Sequence, residues 1–145
     1  MILYADTSAL VKKYIKEPGS DQVVAFFDQY PTIGTAALTQ VEMAAALSKA
    51  VHQEWVDESE ATCAWQDFLS HWRSYTRLPV SAGIVERAAS LVWRLGLRAY
   101  DSIHLSSALT WQDVLGDDVV FACYDKHLQQ ATKQEGLHIW PENDE

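Results

Sequence analysis

Cysteine is scarce in this sequence, and the two copies are poorly placed for a disulfide or a metal site. Cys63 and Cys123 lie far apart, no Cys-x-x-Cys pair is present, and neither has a histidine at metal-ligand spacing. A disulfide framework and a structural zinc site are therefore not predicted. We expect both thiols to stay reduced.

Basic residues are also few. The chain has 11 lysines and arginines against 20 aspartates and glutamates, which gives a formal net charge of −9. Proteins that hold nucleic acid or anionic lipid by overall charge are normally basic or carry a basic stripe. The composition excludes that class of binder, so any contact with nucleic acid must be local.

Long apolar runs are missing as well. The N-terminal run over residues 2–5 is interrupted by Asp6, and neither a basic segment nor a long apolar segment accompanies it. No run approaches the roughly 20 apolar residues that a membrane-spanning helix needs. We therefore expect a cytoplasmic protein that does not contact the membrane and is not processed.

Glycine and proline are too few and too scattered to mark a linker. The sequence contains six glycines and four prolines, with no low-complexity tract and no internal repeat. Of its 145 residues, 48% are apolar, which is enough for a sizeable core. We predict a single domain over residues 1–145.

Short apolar runs alternate with longer helical patterns along the chain. The predicted strands are residues 2–5, 32–36, 119–123 and 137–140. The predicted helices are residues 8–15, 21–29, a helix from residue 39, then 57–75, 81–95, 99–111 and 126–134. Apolar strands separated by helices are typical of a parallel sheet covered on both faces. We predict an α/β fold with a central parallel sheet of four to five strands.

Acidic residues follow the predicted strands, where open α/β sheets bind their ligands. Asp6 follows the first strand, Glu42 lies in the first turn of the helix after the second, and Asp125 follows the third. Asp101 opens a further helix. Clustered carboxylates repel one another unless a cation lies among them, and oxygen-only clusters suit Mg²⁺ or Mn²⁺. The pattern indicates a cation site at one edge of the sheet.

Each of these acids also has a structural interpretation. Glu42 and Thr39 fit a capping box, while Asp6, Asp101 and Asp125 fit helix N-caps or first-turn acids. The joint arrangement favours a site, because four independent caps have no reason to share one end of a sheet.

Two other features have a structural interpretation that is favoured over a functional one. His104 lies on the same helix face as Asp101, but its neighbours are apolar, so a hydrogen-bonded core histidine is favoured over a ligand. An aromatic stripe has helical spacing, and core packing is favoured over a partner-binding or dimer face. The stripe consists of Trp65, Phe68, Leu69 and Trp72.

Four sequence blocks lie in order along the chain, at residues 5–14 with 17–20, 39–42, 100–105 and 124–128. Together they resemble the PIN domain family, in particular the VapC-type toxins of toxin–antitoxin pairs. Ser102 stands where alanine is commoner in the family. Cys123 stands where serine or threonine is usual, so a hydroxyl that helps to position the site is missing.

The resemblance implies a Mg²⁺- or Mn²⁺-dependent endoribonuclease that leaves a 5′-phosphate and a 3′-hydroxyl. It implies that Asp6 and Asp101 bind the metal directly. Glu42 and Asp125 then bind through water, complete a second metal position or orient the attacking water. Ser8 is expected to tie the Asp6 loop.

The resemblance also implies two protein partners. VapC-type toxins usually form homodimers and are held inactive by a small antitoxin, which lays apolar side chains into a groove and often directs an arginine or lysine to the acidic site. The aromatic stripe is a candidate wall for that groove. The RNA target is not encoded in any motif, and its backbone is expected to be held by local cations, namely Lys12, Lys13, Lys16, Arg98 and Lys126.

Other functions fit the residues less well or remain open. Phosphatases of the haloacid dehalogenase type need a second aspartate two positions after the first, where this chain has Ser8. A phosphoaspartate receiver leaves the Glu42 and Asp101 blocks without a role. A PIN-like scaffold that does not cleave RNA and a housekeeping RNA-processing nuclease both remain alternatives.

Overall fold

A five-stranded parallel sheet forms the centre of the protein. In the computed structural model, which describes residues 1–142, the sheet has the order β3-β2-β1-β4-β5. Every neighbouring pair is parallel. The strands are β1 (Ile2–Ala5), β2 (Ile33–Ala36), β3 (Thr76–Leu78), β4 (Val119–Ala122) and β5 (His138–Trp140). The predicted α/β fold is confirmed; residues 143–145 of the predicted domain lie outside the described residues.

Helices cover both faces of this sheet. They are α1 (Thr7–Tyr14), α2 (Ser20–Phe27), α3 (Thr39–His52), α4 (Glu58–Trp72), α5 (Ala82–Leu95), α6 (Ala99–Leu115) and α7 (Lys126–Gln134). No helix among residues 1–142 is both long and apolar enough to cross a bilayer.

The core is divided by the sheet into two apolar clusters. Successive side chains of a strand point to opposite faces, so Leu3 of β1 packs with residues of α1 to α4, and Tyr4 packs with residues of α5 to α7. Both side chains are fully buried. A strand buried on both faces has no polar alternation, which explains why β1 and β4 were recognisable as short apolar runs.

Strand β3 was not predicted from the sequence, and the helix before it was predicted too long. The predicted helix extends to Tyr75, whereas α4 ends at Trp72 and the chain then joins β2 as an edge strand. Thr76 and Arg77 are exposed. A three-residue edge strand with polar side chains contains no apolar run that would identify it in the sequence. It is recognisable only from its pairing with β2.

Candidate active site

The sheet order brings the acidic residues of the predicted site to one edge. β1 lies between β2 and β4, and all three run in the same direction. Asp6 directly follows β1, and its backbone N–H donates to the carbonyl of Ala122 at the end of β4. Asp125 follows that same strand after a short connection, and Glu42 lies in the first turn of the helix that follows β2.

Asp6 is both a helix cap and a member of this cluster. Its Oδ2 accepts hydrogen bonds from the backbone N–H of Ser8 at 3.1 Å and from the Ser8 hydroxyl at 2.6 Å. Its Oδ1 lies 3.7 Å from Nε2 of His104. Asp6 is buried, so the capping interpretation and the site interpretation describe the same carboxylate.

Ser8 joins two of the loops at this edge. Besides donating to Asp6, its hydroxyl accepts a hydrogen bond from the backbone N–H of Tyr124 at 2.9 Å. The start of α1 is thereby fixed against the loop between β4 and α7. These contacts match the loop-tying role expected of Ser8.

The capping box predicted for Glu42 and Thr39 does not form. Helix α3 has no side-chain cap hydrogen bond, and the Glu42 carboxylate contacts residues of other helices instead. Its Oε1 accepts from the Thr7 hydroxyl at 2.5 Å and is 2.7 Å from Nε2 of His104. The structural interpretation of Glu42 was therefore wrong, because partners on α1 and α6 compete successfully with the local backbone.

The pKa of Glu42 reflects this pair of donors. Burial alone would raise it, but the hydrogen bond and charge of His104, together with the hydrogen bond from Thr7, hold the pKa below its ordinary value. Donors that stabilise the ionised form lower a carboxyl pKa. Glu42 is therefore a carboxylate at neutral pH.

Asp101 and Asp125 are bridged by Arg98. The guanidinium donates from Nε to Oδ2 of Asp101 at 3.0 Å and from Nη2 to Oδ2 of Asp125 at 2.7 Å. Asp125 also caps α7, because its Oδ1 accepts the backbone N–H of Leu128 at 3.0 Å. As with Asp6, capping and membership of the cluster occur in one side chain.

The carboxylates of the cluster are close enough to affect one another's charge. Burial raises the pKa of Asp101; Arg98 opposes this, and the negative charges of Asp6 and Asp125 add to it, so that the pKa lies above its ordinary value. The neighbouring negative charges therefore add to burial in disfavouring the ionised form of Asp101.

Cys123 fills the place where the resemblance led us to expect a hydroxyl. Its Sγ accepts the backbone N–H of Asp125 at 3.3 Å and lies 3.7 Å from the Ser8 hydroxyl. Burial, and then the charge of Asp6, raises the pKa of the thiol far above its ordinary value, so it stays neutral. The sulfur thus supports the Asp125 backbone but offers no hard ligand.

The donor set fits a hard divalent cation in its chemistry. Among residues 1–142, no three His, Cys, Asp or Glu side chains are already arranged as a metal-binding group. Each of the four carboxylates has a protein partner, and Arg98, the partner of Asp101 and Asp125, is exposed. All four acidic side chains offer oxygen ligands, which Mg²⁺ and Mn²⁺ prefer.

The lysines expected to hold RNA beside Asp6 have other contacts. Lys12 pairs with Glu17 at 3.1 Å, and Lys16 lies 3.8 Å from an acid of α2. The amine of Lys13 lies 3.4 Å from the hydroxyl of Tyr75. Tyr75 immediately precedes β3, so it lies at the amino ends of the strands, whereas the acids lie at the carboxyl ends. For Lys13 the interpretation as a phosphate contact beside the acids was therefore wrong.

The aromatic stripe of α4 divides into core and surface. Phe68 and Trp72 are buried, which confirms the core interpretation for those two. Leu69 is exposed, and Trp65 is partly buried at the edge of an apolar cavity of about 280 Å³ between α3 and α4. The outer half of the stripe is therefore available for contact.

Two contacts of the site were not anticipated from the sequence. The Thr7 hydroxyl contacts Glu42, and the Tyr4 hydroxyl lies 2.7 Å from Nδ1 of His104. The sequence features that could have predicted these contacts are weak. Tyr4 places a hydroxyl group in an apolar strand, and Thr7 directly follows the first acid. Neither signal names a partner that is distant in the sequence.

The fold and this cluster define an α/β protein with a carboxylate centre at the carboxyl edge of a parallel sheet. The family model of the PIN domain matches residues 3–133, which is most of the chain. The chain belongs to the PIN domain family.

Several known proteins are similar to this chain. Ribonuclease VapC45 from Mycobacterium tuberculosis (strain CDC 1551 / Oshkosh) is 30% identical over 141 residues, covering 97% of this chain and 95% of that protein. The crystal structure of FitAcB from Neisseria gonorrhoeae superposes with a TM-score of 0.70 at 14% identity, covering 95% of this chain and 96% of that one. A toxin-antitoxin complex from Klebsiella pneumoniae gives a TM-score of 0.55 at 16% identity, covering 83% and 84%. At these identities the structural similarity shows the fold.

Proposed function

We propose that this protein is a metal-dependent endoribonuclease of the VapC type and the toxin of a toxin–antitoxin pair. The observation that carries the proposal is the gathering of four acidic side chains, from four different segments, at one edge of the sheet. Similarity to a relative named as a ribonuclease, across nearly the whole chain, supports the same activity. The RNA substrate implies a cytoplasmic location.

Asp6 and Asp101 are the residues that would hold Mg²⁺ or Mn²⁺. When bound, such an ion supplies activation of a water and neutralisation of charge on the phosphoryl oxygens. Oδ1 of Asp6 faces the site, since Oδ2 is engaged by Ser8. Burial, together with the negative charges of Asp6 and Asp125, raises the pKa of Asp101, and a cation bound beside it would offset both effects.

Glu42 and Asp125 complete the site from either side. Glu42 is held ionised by its donors, so it can accept a hydrogen bond from the attacking water and orient it. Asp125 uses Oδ1 for its helix and keeps Oδ2 toward Arg98 and the cluster. Arg98 is an exposed cation beside the acids and therefore a suitable partner for an RNA phosphate.

Incubation with total RNA tests this function directly. With Mg²⁺ or Mn²⁺ the purified protein should make internal cuts that leave 5′-phosphate and 3′-hydroxyl ends, and EDTA should stop them. A PIN-like scaffold would make no cuts with either ion. Cleavage that is insensitive to EDTA would contradict the proposed metal dependence.

Replacement of Arg98 should strengthen metal binding. The guanidinium contacts both Asp101 and Asp125, so a divalent ion must compete with it. Exposed ion pairs are individually weak, so Arg98→Gln should lower the Mn²⁺ dissociation constant by only several-fold, measured by titration calorimetry. Arg94→Gln is the matched control, because that exposed arginine pairs with Glu135. Weaker Mn²⁺ binding in Arg98→Gln would show that Arg98 does not compete.

The proposed antitoxin partner fits the apolar surface around α3. One cavity, of about 280 Å³, lies between α3 and α4 and is lined partly by Leu47 and Trp65. Another, of about 320 Å³, lies on the other side of α3 and is lined partly by Ile15 and Trp55. An antitoxin segment with apolar side chains can cover both, and a basic residue on it would be attracted to the carboxylates.

Two tryptophans of α4 separate partner binding from folding. Trp65→Ala should weaken co-purification of the co-expressed antitoxin while the protein stays folded, because Trp65 lines the cavity. Trp72→Ala should instead destabilise the fold by about 3–5 kcal/mol, because its side chain is buried. Pull-down and urea unfolding measure the two effects. Undiminished antitoxin binding by Trp65→Ala would exclude this groove.

The proposal includes a homodimer, as is usual for VapC-type toxins. Its support is a set of large apolar side chains that α5 and α6 expose, namely Val85, Trp93, Val114 and Leu115. Light scattering of the purified protein measures the assembly.

A further inference from the structure

Behind the acidic edge, four side chains from four elements form one connected line of contacts. The hydroxyl of Tyr4 on β1 lies 2.7 Å from Nδ1 of His104 on α6. Nε2 of the same ring lies 2.7 Å from Oε1 of Glu42 on α3, and that oxygen also contacts the Thr7 hydroxyl of α1 at 2.5 Å. Tyr4 is fully buried and His104 is 1% exposed.

The chemistry of these groups fixes the direction of two hydrogen bonds. An ionised carboxylate only accepts, so Nε2 of His104 and the hydroxyl of Thr7 both donate to Glu42. Both donors engage Oε1. Within residues 1–142, the hydrogen bonds described for the Glu42 carboxylate all end on that oxygen, which leaves Oε2 for the site.

The ring of His104 is held in place from its other side. Tyr4 stacks on Phe121 with an interplanar angle of 7° and meets Trp111 edge to face. A hydroxyl on so well packed a ring has little freedom, and it contacts Nδ1. The orientation of the imidazole, and hence of the bond from Nε2 to Glu42, is therefore determined by the core.

We propose that His104 is a positioning residue for RNA cleavage. Together with Thr7 it holds Oε1 of Glu42, so that Oε2 is presented to the attacking water. This inference rests on the proposed endoribonuclease function. It gives a role to a buried histidine in a position where an aliphatic side chain would pack at no polar cost.

Two amide substitutions of His104, which differ in side-chain length, test the positioning role. The amide nitrogen of His104→Gln extends to the position of Nε2 and can donate to Glu42. The amide of His104→Asn ends near the position of Nδ1, beside Tyr4, and cannot. We expect kcat to fall about 10- to 100-fold in His104→Asn, with KM changed much less, and to recover most of that loss in His104→Gln.

Two further variants complete the activity measurements. Thr7→Val removes the second donor at constant shape and should lower kcat in the same direction. Ser106→Ala is the matched control, since this buried serine of α6 donates to a carbonyl of α5 and not to the acidic edge. It should change thermal stability without changing kcat. If His104→Asn and His104→Gln cleave alike, in an active wild-type background, the positioning role is overturned.

A spectroscopic measurement separates this inference from the proposed function. The Nε2 proton of His104 should give a slowly exchanging downfield signal in proton NMR that shifts in Glu42→Gln. An unshifted signal would overturn the inference whether or not RNA is cleaved. Absence of cleavage by the wild-type protein, with a signal that does shift, would instead count against the endoribonuclease function and leave the hydrogen bond established.

Discussion

Asp101→Asn is expected to abolish metal-dependent RNA cleavage while leaving the protein at least as stable as before. Loss of a residue that only supports a metal ligand costs about 10- to 100-fold, so loss of a proposed direct ligand should cost at least about 100-fold. The raised pKa of Asp101 means that the folded protein disfavours its ionised form. A neutral asparagine removes that unfavourable charge at pH 7, so thermal unfolding should occur at the same or a higher temperature.

Single-turnover cleavage and thermal unfolding measure the two effects on the same preparations. Asp113→Asn is a matched control, because Asp113 lies near the far end of the same helix and pairs with Arg87 at 2.9 Å. That variant should keep full activity. Full activity in Asp101→Asn would exclude Asp101 as a ligand.

Asp6→Asn should also abolish RNA cleavage, because Asp6 is the other proposed direct metal ligand. Its effect on folding depends on the cap of α1 rather than on the pKa of the carboxyl group. Asp6 caps α1 through its bonds with Ser8. Asparagine is about as good an N-cap as aspartate, so the helix start should survive the substitution. Inactive but folded variants at both positions would show that the loss lies in the site rather than in the structure around it.

The sequence was informative where one residue's environment is determined by its neighbours in the chain. Apolar runs identified β1 and β4, because strands buried on both faces need them. The acids after those runs then lay at one edge by topology alone. The sequence did not predict side-chain contacts between residues that are far apart in the chain, namely Thr7 with Glu42 and Tyr4 with His104.

Treating capping and function as exclusive alternatives was a second limit. Asp6 and Asp125 cap helices and belong to the cluster at once, because each carboxylate has two oxygens and uses one for the helix. Helix starts at the carboxyl edge of a parallel sheet supply both the caps and the site. An N-cap pattern at that edge therefore does not count against a functional role.

The net charge of −9 is consistent with the proposed activity once the position of Arg98 is known. Bound divalent ions would convert the acidic edge into a phosphate-binding surface. The rest of the protein stays acidic, so RNA affinity should depend on the site and on salt rather than on a broad basic surface.

Gly34→Ala is expected to be among the most destabilising small substitutions in this protein. Gly34 lies in β2, beside the central strand, and α6 packs across it. A Cβ at this position would lie 2.5 Å from Cη2 of Trp111, which is closer than side chains tolerate. Overpacking of this kind costs about 1–3 kcal/mol or more. Urea unfolding of the variant measures the loss.

The same contact links Gly34 to the candidate active site, because α6 carries Asp101 and His104 as well as Trp111. A methyl group that displaces Trp111 must shift this helix against the sheet, so RNA cleavage should fall together with stability. Gly83→Ala is the control: that glycine lies in α5 with open space around it, and alanine there should be neutral or stabilising by up to about 1 kcal/mol. Replacing Trp111 by leucine in the Gly34→Ala background should recover part of the loss. If the two substitutions are instead additive, the contact does not set the distance between α6 and the sheet.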